Sequence, residues 1–338
     1  MRSPLRTAIL RLIAIPPTLL GLSFVVFLLL DLVPLDRAEV ALLGSPQART
    51  ATERVATVRA LRAHWGMLDP TTGEPLPFTT RWVRWLDHAV RLDFAPPSEA
   101  PAAFRERFVR AIAISALLGS LALMLAIAVG VPLGWWLGRR VDTVADRLVS
   151  GSLLGLGALP EFLVATLLVL LFGGPLRGLL PAGGLRTPGA DAWSPIDQVA
   201  DLFLHLALPV VVLAIAPAAW IARLLRASCA RTARAEFVHA LRTLGASERF
   251  VALRILRNSS SPLWTFLGVL VPWIVAGAVV VENVFGIPGF GRLSLDAIRA
   301  RDPSTVLAAT LLVASLVAIG GILGDLLHRA GDRRVALG

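Results

Sequence analysis

The sequence contains no lysine and no tyrosine, and its one cysteine is Cys229. All 33 basic residues are therefore arginine, a bias that fits a GC-rich genome. Without lysine the chain cannot build a Gly-x-x-x-x-Gly-Lys-Ser/Thr phosphate loop. A lone cysteine excludes an internal disulfide framework and a cysteine metal cluster. The five histidines, at 64, 88, 205, 239 and 328, fall singly. With neither a His-x-x-x-His pair nor paired acids at membrane depth, an intramembrane hydrolase has no catalytic set. Charge is scarce as well. Only 17% of residues are charged and 56% are hydrophobic, with a mean hydropathy of +0.72. Soluble domains sit near about 25% charged, so this is a membrane protein by composition. The net charge of +10 is explained by arginines at helix ends facing the cytoplasm, and no nucleic-acid partner is expected.

What is present is six apolar segments, at 9–32, 111–137, 149–173, 202–222, 262–281 and 304–324. Each can cross a hydrocarbon core of about 30 Å, which takes about 20 residues of helix. The uncharged run from Leu12 to Leu30 is too long for a signal peptide and lacks a small-x-small cleavage site, so it reads as a retained span. The expected fold is an all-α integral membrane protein of six transmembrane helices. Its parts are a first helix at 1–32, an extracytoplasmic insert at 33–108, a five-helix transmembrane domain at 109–328 and a cytoplasmic tail at 329–338. The short loops and tails on one side hold seventeen arginines, against five on the other. Both termini are therefore expected in the cytoplasm.

Two amphipathic stretches mark the insert. Thr50 and Glu53 have capping-box spacing, followed by Val55, Val58, Leu61 and Trp65 before Gly66. Further on, FTTRWVRWLDHAVRLDF puts Trp82, Trp85, Leu86, Ala89 and Val90 on one face. A tryptophan-rich helix of this kind suits the membrane–water boundary. It either packs on the outer ends of the spans or offers a docking surface to a substrate-delivering protein.

Between the fourth and fifth spans runs AEFVHALRTLGASERFVALRILRNSSSP, residues 235–262. From Glu236, the residues Phe237, Leu241 and Leu244 recur at i, i+4 and i+7, which makes one apolar stripe on a two-turn helix. Gly245 supplies the permissive backbone of a helix end. A second stripe, Phe250, Leu253 and Ile255–Leu256, follows with arginines interleaved. Two short helices lying across the membrane plane suit a cleft in another protein; an interfacial helix resting on anionic lipid is the alternative.

Within the spans, Pro132, Pro160, Pro209, Pro217 and Pro272 break backbone hydrogen bonds, either as kinks along a pathway or as packing bends. Glu161 falls inside the third span, where an acid costs about 2.5–3.5 kcal/mol. It either lines a path and attracts a cationic group such as a peptide amine, or is satisfied by a neighbouring helix. His205, at the start of its span, reads as an interfacial polar group. Gly286, Gly289 and Gly291 surround Pro288 between Glu282 and Arg292, with Phe285 and Phe290 beside them. They form a tight loop that is either a gate or contact for a delivery protein, or a buried structural turn.

The 235–262 stretch resembles the cytoplasmic coupling loop of binding-protein-dependent ABC importer permeases, which runs Glu-Ala-Ala, three residues, Gly, nine residues, Ile. The matching positions here are His239, Ala240, Leu241, Gly245 and Ile255. His239 stands where the pattern has Glu, and Leu241 replaces the second Ala. Other segments resemble the dipeptide/oligopeptide/nickel branch of that family. They are ILRNSSSP (255–262), VENVFGIPGFGRL (281–293), AIRARDP (297–303), LLPAGG (179–184), HLALP (205–209) and PLPFTTRWVRWL (75–86). The resemblance covers essentially the whole chain. It implies the type I importer permease fold and a non-catalytic permease subunit in a bacterial or archaeal cell membrane, carrying peptides or similar small solutes. It further implies a second permease, with a heterodimer expected, two ABC ATPase subunits and an extracytoplasmic solute-binding protein. ATP and Mg would be used by the ATPases and no cofactor bound by this chain. The ATPase-coupling residues expected within the 223–261 loop are Glu236, Phe237, His239, Ala240, Leu241, Leu244, Gly245, Ile255, Arg257 and Asn258. The path or gate candidates are Pro160, Glu161, Glu282, Phe285, Pro288 and Gly289. The alternatives are a secondary transporter or channel, which predicts internal repeats and several intramembrane charges, and an ABC permease for a non-peptide solute such as nickel chelates.

Overall fold

The computed structural model describes residues 4–32, 38, 39, 42, 51–65, 67–69, 71–91, 93–96 and 99–331. Thr50, Gly66 and the tail from residue 332 on, all invoked above, lie outside these residues, as does Arg2. No strand occurs among the described residues, as expected where lipid offers the backbone no hydrogen-bond partner. The helices are α1 (Pro4–Leu32), α2 (Ala51–His64), α3 (Phe78–Val90), α4 (Pro101–Gly138), α5 (Val144–Ala158) and α6 (Glu161–Gly173). They continue as α7 (Pro195–Ala233), α8 (Glu236–Thr243), α9 (Glu248–Ser259), α10 (Ser261–Phe285), α11 (Phe290–Arg299) and α12 (Pro303–Gly331).

Single helices of spanning length and apolarity occur in α1, α4, α7 and α12. The third and fifth expected spans are instead bent. The helices α5 and α6 meet at 91°, and the run from Glu248 to Phe285 turns by 55° between Gly268 and Pro272. The 149–173 segment is thus a broken span, and Glu161 opens its second half rather than lying mid-helix. The break has a local cause. Leu159 and Pro160 are both extended, at ψ 133° and 129°, because proline drives the residue before it out of the α region and lacks an N–H of its own. Gly151, Gly155 and Gly157 have already weakened the end of α5. Pro132, Pro209 and Pro217 sit inside unbroken helices.

The chain divides into two compact units, one of Ile114–Gly291 and the chain from Leu316 on, the other of the chain up to Ala113 with Arg292–Ser315. The first unit is built around α7. Ser194 caps that helix through the amide of Asp197, and Pro195 occupies its first position. Against it lies α4, whose Gly130, Gly134 and Gly138 recur every fourth residue. A Cβ on Gly130 would stand 2.7 Å from the Ala218 carbonyl, and on Gly134 2.5 Å from that of Ala222. On Gly138 it would stand 2.5 Å from the Cys229 Cβ. Helices in lipid gain nothing from hiding apolar surface from each other, so this close backbone approach is what holds the pair. Leu118, Ala122, Ala165, Leu206, Leu213, Val281, Phe285 and Ile287 fill one core of this unit.

In the second unit α3 packs on α1. Phe24 and Phe27 each meet Phe78 edge-on at 5.5 Å, and Phe24 meets Trp82 at 5.2 Å. Trp85 is buried beside Phe27 and Leu307. Arg81 reaches Asp31 at 2.5 Å. The tryptophans of α3 are thus engaged in packing, while Val83 and Val90 remain exposed.

Candidate functional site

The arginine-rich loop folds as two helices, α8 and α9, joined by a tight reversal. Leu244 ends α8, and Gly245 takes φ +76°, a left-handed conformation that costs other residues about 1–2 kcal/mol. The Gly245 amide donates to the Arg242 carbonyl and the Ala246 amide to the Leu241 carbonyl, each at 3.0 Å. Those are the two bonds of a Schellman stop. Ser247 then caps α9 by accepting from the Phe250 amide. Across the turn Arg242 grips Glu248 with two bonds, at 3.0 and 3.3 Å. Both groups are half-exposed or more, so the pair adds less than about 1 kcal/mol and serves geometry more than stability.

The apolar residues of this element divide between two directions. Val238, Val251 and Ile255 are buried with Ile221, Leu225 and Cys229 of α7 and Ala126 of α4, and Phe237, Leu241, Ala246 and Leu256 pack around them. Each fully buried aliphatic side chain contributes about 1.5–3 kcal/mol, so the helix pair is keyed firmly to the membrane bundle. Leu244 is 82% exposed and Leu253 66%. His239, Ala240, Arg257 and Asn258 are exposed beside them, as are Glu236 and Gly245. The stripe read as Phe237–Leu241–Leu244 is therefore not one surface: its first two members face the chain's own core, Val238 is the anchor that the stripe omits, and only Leu244 projects. The second stripe separates in the same way, with Phe250 and Leu253 outward and Ile255 inward. Arg254 lies over the Phe250 ring at 5.0 Å, which keeps a cation on this apolar face.

A polar lock adjoins this element. Asp146, in the first turn of α5, is fully buried. It accepts from Arg226 of α7 through Nε at 2.5 Å and through Nη2, from Ser150 Oγ at 3.2 Å and from the Asp142 amide at 3.0 Å. Arg226 holds the carboxyl well inside the carboxylate form by two parallel charge-assisted bonds. Sequence reading counted Arg226 only as a topological charge. Nothing local signals a partner 80 residues away.

The glycine-rich segment 282–291 is a buried clasp. Gly286, left-handed at φ +68°, stops α10, and the Ile287 amide returns to the Glu282 carbonyl at 2.8 Å. The Glu282 side chain is fully buried. It accepts from the Ser115 hydroxyl, which in turn accepts from the Phe290 amide at 2.7 Å. A Cβ on Gly289 would fall on the Glu282 carboxylate. The Gly184 amide donates to the Phe285 carbonyl at 2.7 Å, so LLPAGG closes over the same turn. Of the gate candidates here, Glu282, Phe285 and Gly289 are buried and only Pro288 is exposed.

Glu161 is different. It follows the break in the third span, with Pro160 as its N-cap residue. Its carboxylate lies against Gly277 of α10, where a Cβ would stand 2.6 Å from Oε2 and 3.2 Å from Leu213 Cδ2. Oε1 is buried without a hydrogen-bond partner. His205 is buried and bonded through Nδ1 to the Asp201 carbonyl at 2.9 Å. Asp201 itself accepts from the Thr187 amide and hydroxyl at 2.9 and 2.7 Å, so both are structural. A cavity of about 800 Å³ lies among Phe172, Arg177, Leu180, Trp193, Asp197 and Leu204; neither Glu161 nor a coupling-loop residue lines it.

Residues 130–337 match the family model described as binding-protein-dependent transport system inner membrane component. A Brucella ovis chain bearing the name peptide permease protein is 34% identical over 323 residues, 94% of each chain. A dipeptide transport system permease protein of Bacillus subtilis is 28% identical over 335 residues, 98% of each. An oligopeptide transport system permease protein of Mycobacterium bovis is 31% identical over 267 residues, 77% of this chain and 81% of the other.

Proposed function

The chain belongs to the family of binding-protein-dependent transport system inner membrane components, and on that premise we propose that it carries peptides as one permease of an ATP-driven importer. It is a multi-pass membrane permease of an ABC transporter system. In the proposed assembly a second, non-identical permease completes the pathway, one of two ABC ATPases docks on the α8–α9 element, and an extracytoplasmic binding protein delivers the peptide. Both termini lie in the cytoplasm, the side favoured by the seventeen-to-five arginine asymmetry. The chain itself breaks no bond; ATP and Mg are used by the partner ATPases.

One observation carries the coupling part of this reading. The α8–α9 pair is buried on one side into α4 and α7 while Leu244, at the tip of its reversal, is exposed. A rigid element with one face fixed in the bundle and an apolar tip free transmits displacement from whatever grips the tip. His239, Ala240, Leu244, Gly245 and Leu253 form the gripped face. Glu236, Arg257 and Asn258 flank it, and Phe237, Leu241 and Ile255 key it to the bundle.

The discriminating substitution is Leu244→Asp, since an aspartate at Leu241 would disturb the chain's own core and report folding instead. In the complete transporter, Leu244→Asp is expected to leave the melting temperature of the permease unchanged. It should abolish both retention of the ATPases on purification and peptide-stimulated ATP hydrolysis. Wild-type uptake by that variant would refute the docking assignment.

A further inference from the structure

Glu161 is held in an unusual setting. The chain breaks by 91° immediately before it, inside an apolar stretch. Irregular backbone at membrane depth is tolerated only where it is buried in protein or lines a watery cavity. Pro160 and Phe162, on either side of Glu161, are exposed. Its carboxylate occupies space that exists because residue 277 is glycine. Among the described residues neither carboxylate oxygen has a hydrogen-bond or ionic partner, and Oε1 is buried.

Among the described residues no cation pairs with it. No basic residue occurs between Arg110 and Arg139, Arg147 and Arg177, or Arg257 and Arg292. Between Arg186 and Arg223 there is only His205, which is engaged by Asp201. Glu161 is half-buried with Oε1 enclosed and unpartnered, so a cation brought from outside the chain would stabilise its charged form.

Two indoles pack near the break. Trp273 precedes Gly277 by one helical turn on α10, and its ring meets that of Trp220 of α7 at 4.7 Å, nearly perpendicular. Trp220 in turn borders Gly157, whose built Cβ would lie 3.6 Å from Nε1, and Gly157 lies four residues before Glu161. Trp220, paired with Trp273, thus packs on the end of α5 just before the break. An unpartnered carboxylate oxygen at a break in a membrane span is chemistry that binds an ammonium group, by charge and by charge-assisted hydrogen bonds.

We propose that Glu161 is a station in the translocation path for a primary ammonium group of the passing peptide. It rests on the peptide-permease reading and adds a recognition step inside the membrane, separate from selection by the binding protein. The ammonium is either the peptide's own terminus, with a pKa of about 7.7–8.0, or a lysine side chain near about 10.4.

The test uses the complete transporter in proteoliposomes with saturating binding protein. Uptake of trialanine and of Ala-Lys-Ala is compared between wild type and Glu161→Gln from pH 6.5 to pH 9. The binding protein is common to both, so its own pH response cancels in the wild-type-to-variant ratio. For trialanine the ratio is expected to be about tenfold or more at the acid end, the scale of one charge-assisted bond, and to fall toward one as the terminus loses its proton. A lysine-directed station would hold the Ala-Lys-Ala ratio high at pH 9, and a terminus-directed one would let it fall. Gly277→Ala, whose Cβ displaces the carboxylate without removing it, is expected to lower trialanine uptake in the same pH-dependent way. A ratio near one throughout overturns the proposal. A large ratio that ignores pH for both peptides also overturns it, since Glu161 would then be balanced by a fixed cation of another subunit. If the wild-type transporter takes up neither peptide, the peptide reading itself fails and the station falls with it.

Discussion

Removing the Arg226 guanidinium should damage the permease more than removing the Asp146 carboxylate it holds. Asp146 is fully enclosed, whereas the Arg226 side chain keeps 27% of its surface exposed. Arg226→Ala leaves a buried carboxylate with only the Ser150 hydroxyl and the Asp142 amide, and breaking a buried pair in this way costs about 3–5 kcal/mol. The two remaining donors put the expected value near the lower end, about 3 kcal/mol. At about 2–4 °C per kcal/mol, the ratio for domains of about 150–250 residues, that is a fall of at most about 6–12 °C in apparent melting temperature. Asp146→Asn keeps the shape and removes the charge, and the freed arginine can turn its head toward water along its flexible stem. It should cost under about half as much. The double variant Asp146→Asn/Arg226→Met should recover part of the loss, because no charge is then stranded. The assay is thermal unfolding of the purified complex at one fixed heating rate, because membrane-protein unfolding is often irreversible. Arg226→Ala within about 2 °C of wild type, or Asp146→Asn more damaging than Arg226→Ala, would refute the reasoning.

Gly134→Ala places a methyl 2.5 Å from the Ala222 carbonyl and should cost about 1–3 kcal/mol by overpacking. Gly151→Ala, with nothing within 4 Å of the new atom, should be neutral, and the two melting temperatures compared in parallel check this. Gly245→Ala should lower apparent stability by about 1–2 kcal/mol through its left-handed φ alone while leaving the Leu244 tip in place, so ATPase association should persist in pull-downs. Gly289→Ala drives a methyl into the Glu282 carboxylate. It should reduce folded yield from the membrane by several-fold, measured as monodisperse protein after detergent extraction.

Much of this architecture was readable from residue order, for reasons that differ by element. The apolar runs of α1, α4, α7 and α12 stand out because a span must be long and uncharged whatever surrounds it. Gly245 was legible because only one residue type takes φ +76° without strain. The phase of α8 was not. A helix of eight residues that offers Phe237, Val238, Leu241 and the following Leu244 has apolar flanks on two sides, and periodicity does not say which faces the bundle. The sharp break at Pro160 was hidden because Pro132, Pro209 and Pro217 carry the same local signal inside continuous helices. Gly130, Gly134 and Gly138 carried a small-xxx-small signature that was open to inspection and overlooked. The Asp146–Arg226 lock joins positions whose pairing no single-sequence rule predicts. The Glu282 turn was read with its two alternatives, and its burial with Ser115 could not be foreseen from residue order.

The length of α7 has a mechanical meaning. Its 39 residues make a rod of about 58 Å, nearly twice the thickness of a hydrocarbon core of about 30 Å. One end is moored by the Thr187–Asp201 hydrogen bonds and the other runs into the α8–α9 element. If such a rod pivots near its middle, a tilt of about 10° carries its two tips about 5 Å in opposite directions. Pro209 and Pro217 lower its bending stiffness near that fulcrum, so the sweep at each tip depends on how far the rod flexes before it swings. The geometry is that of a seesaw: displacement of one tip is carried to the other by the same beam.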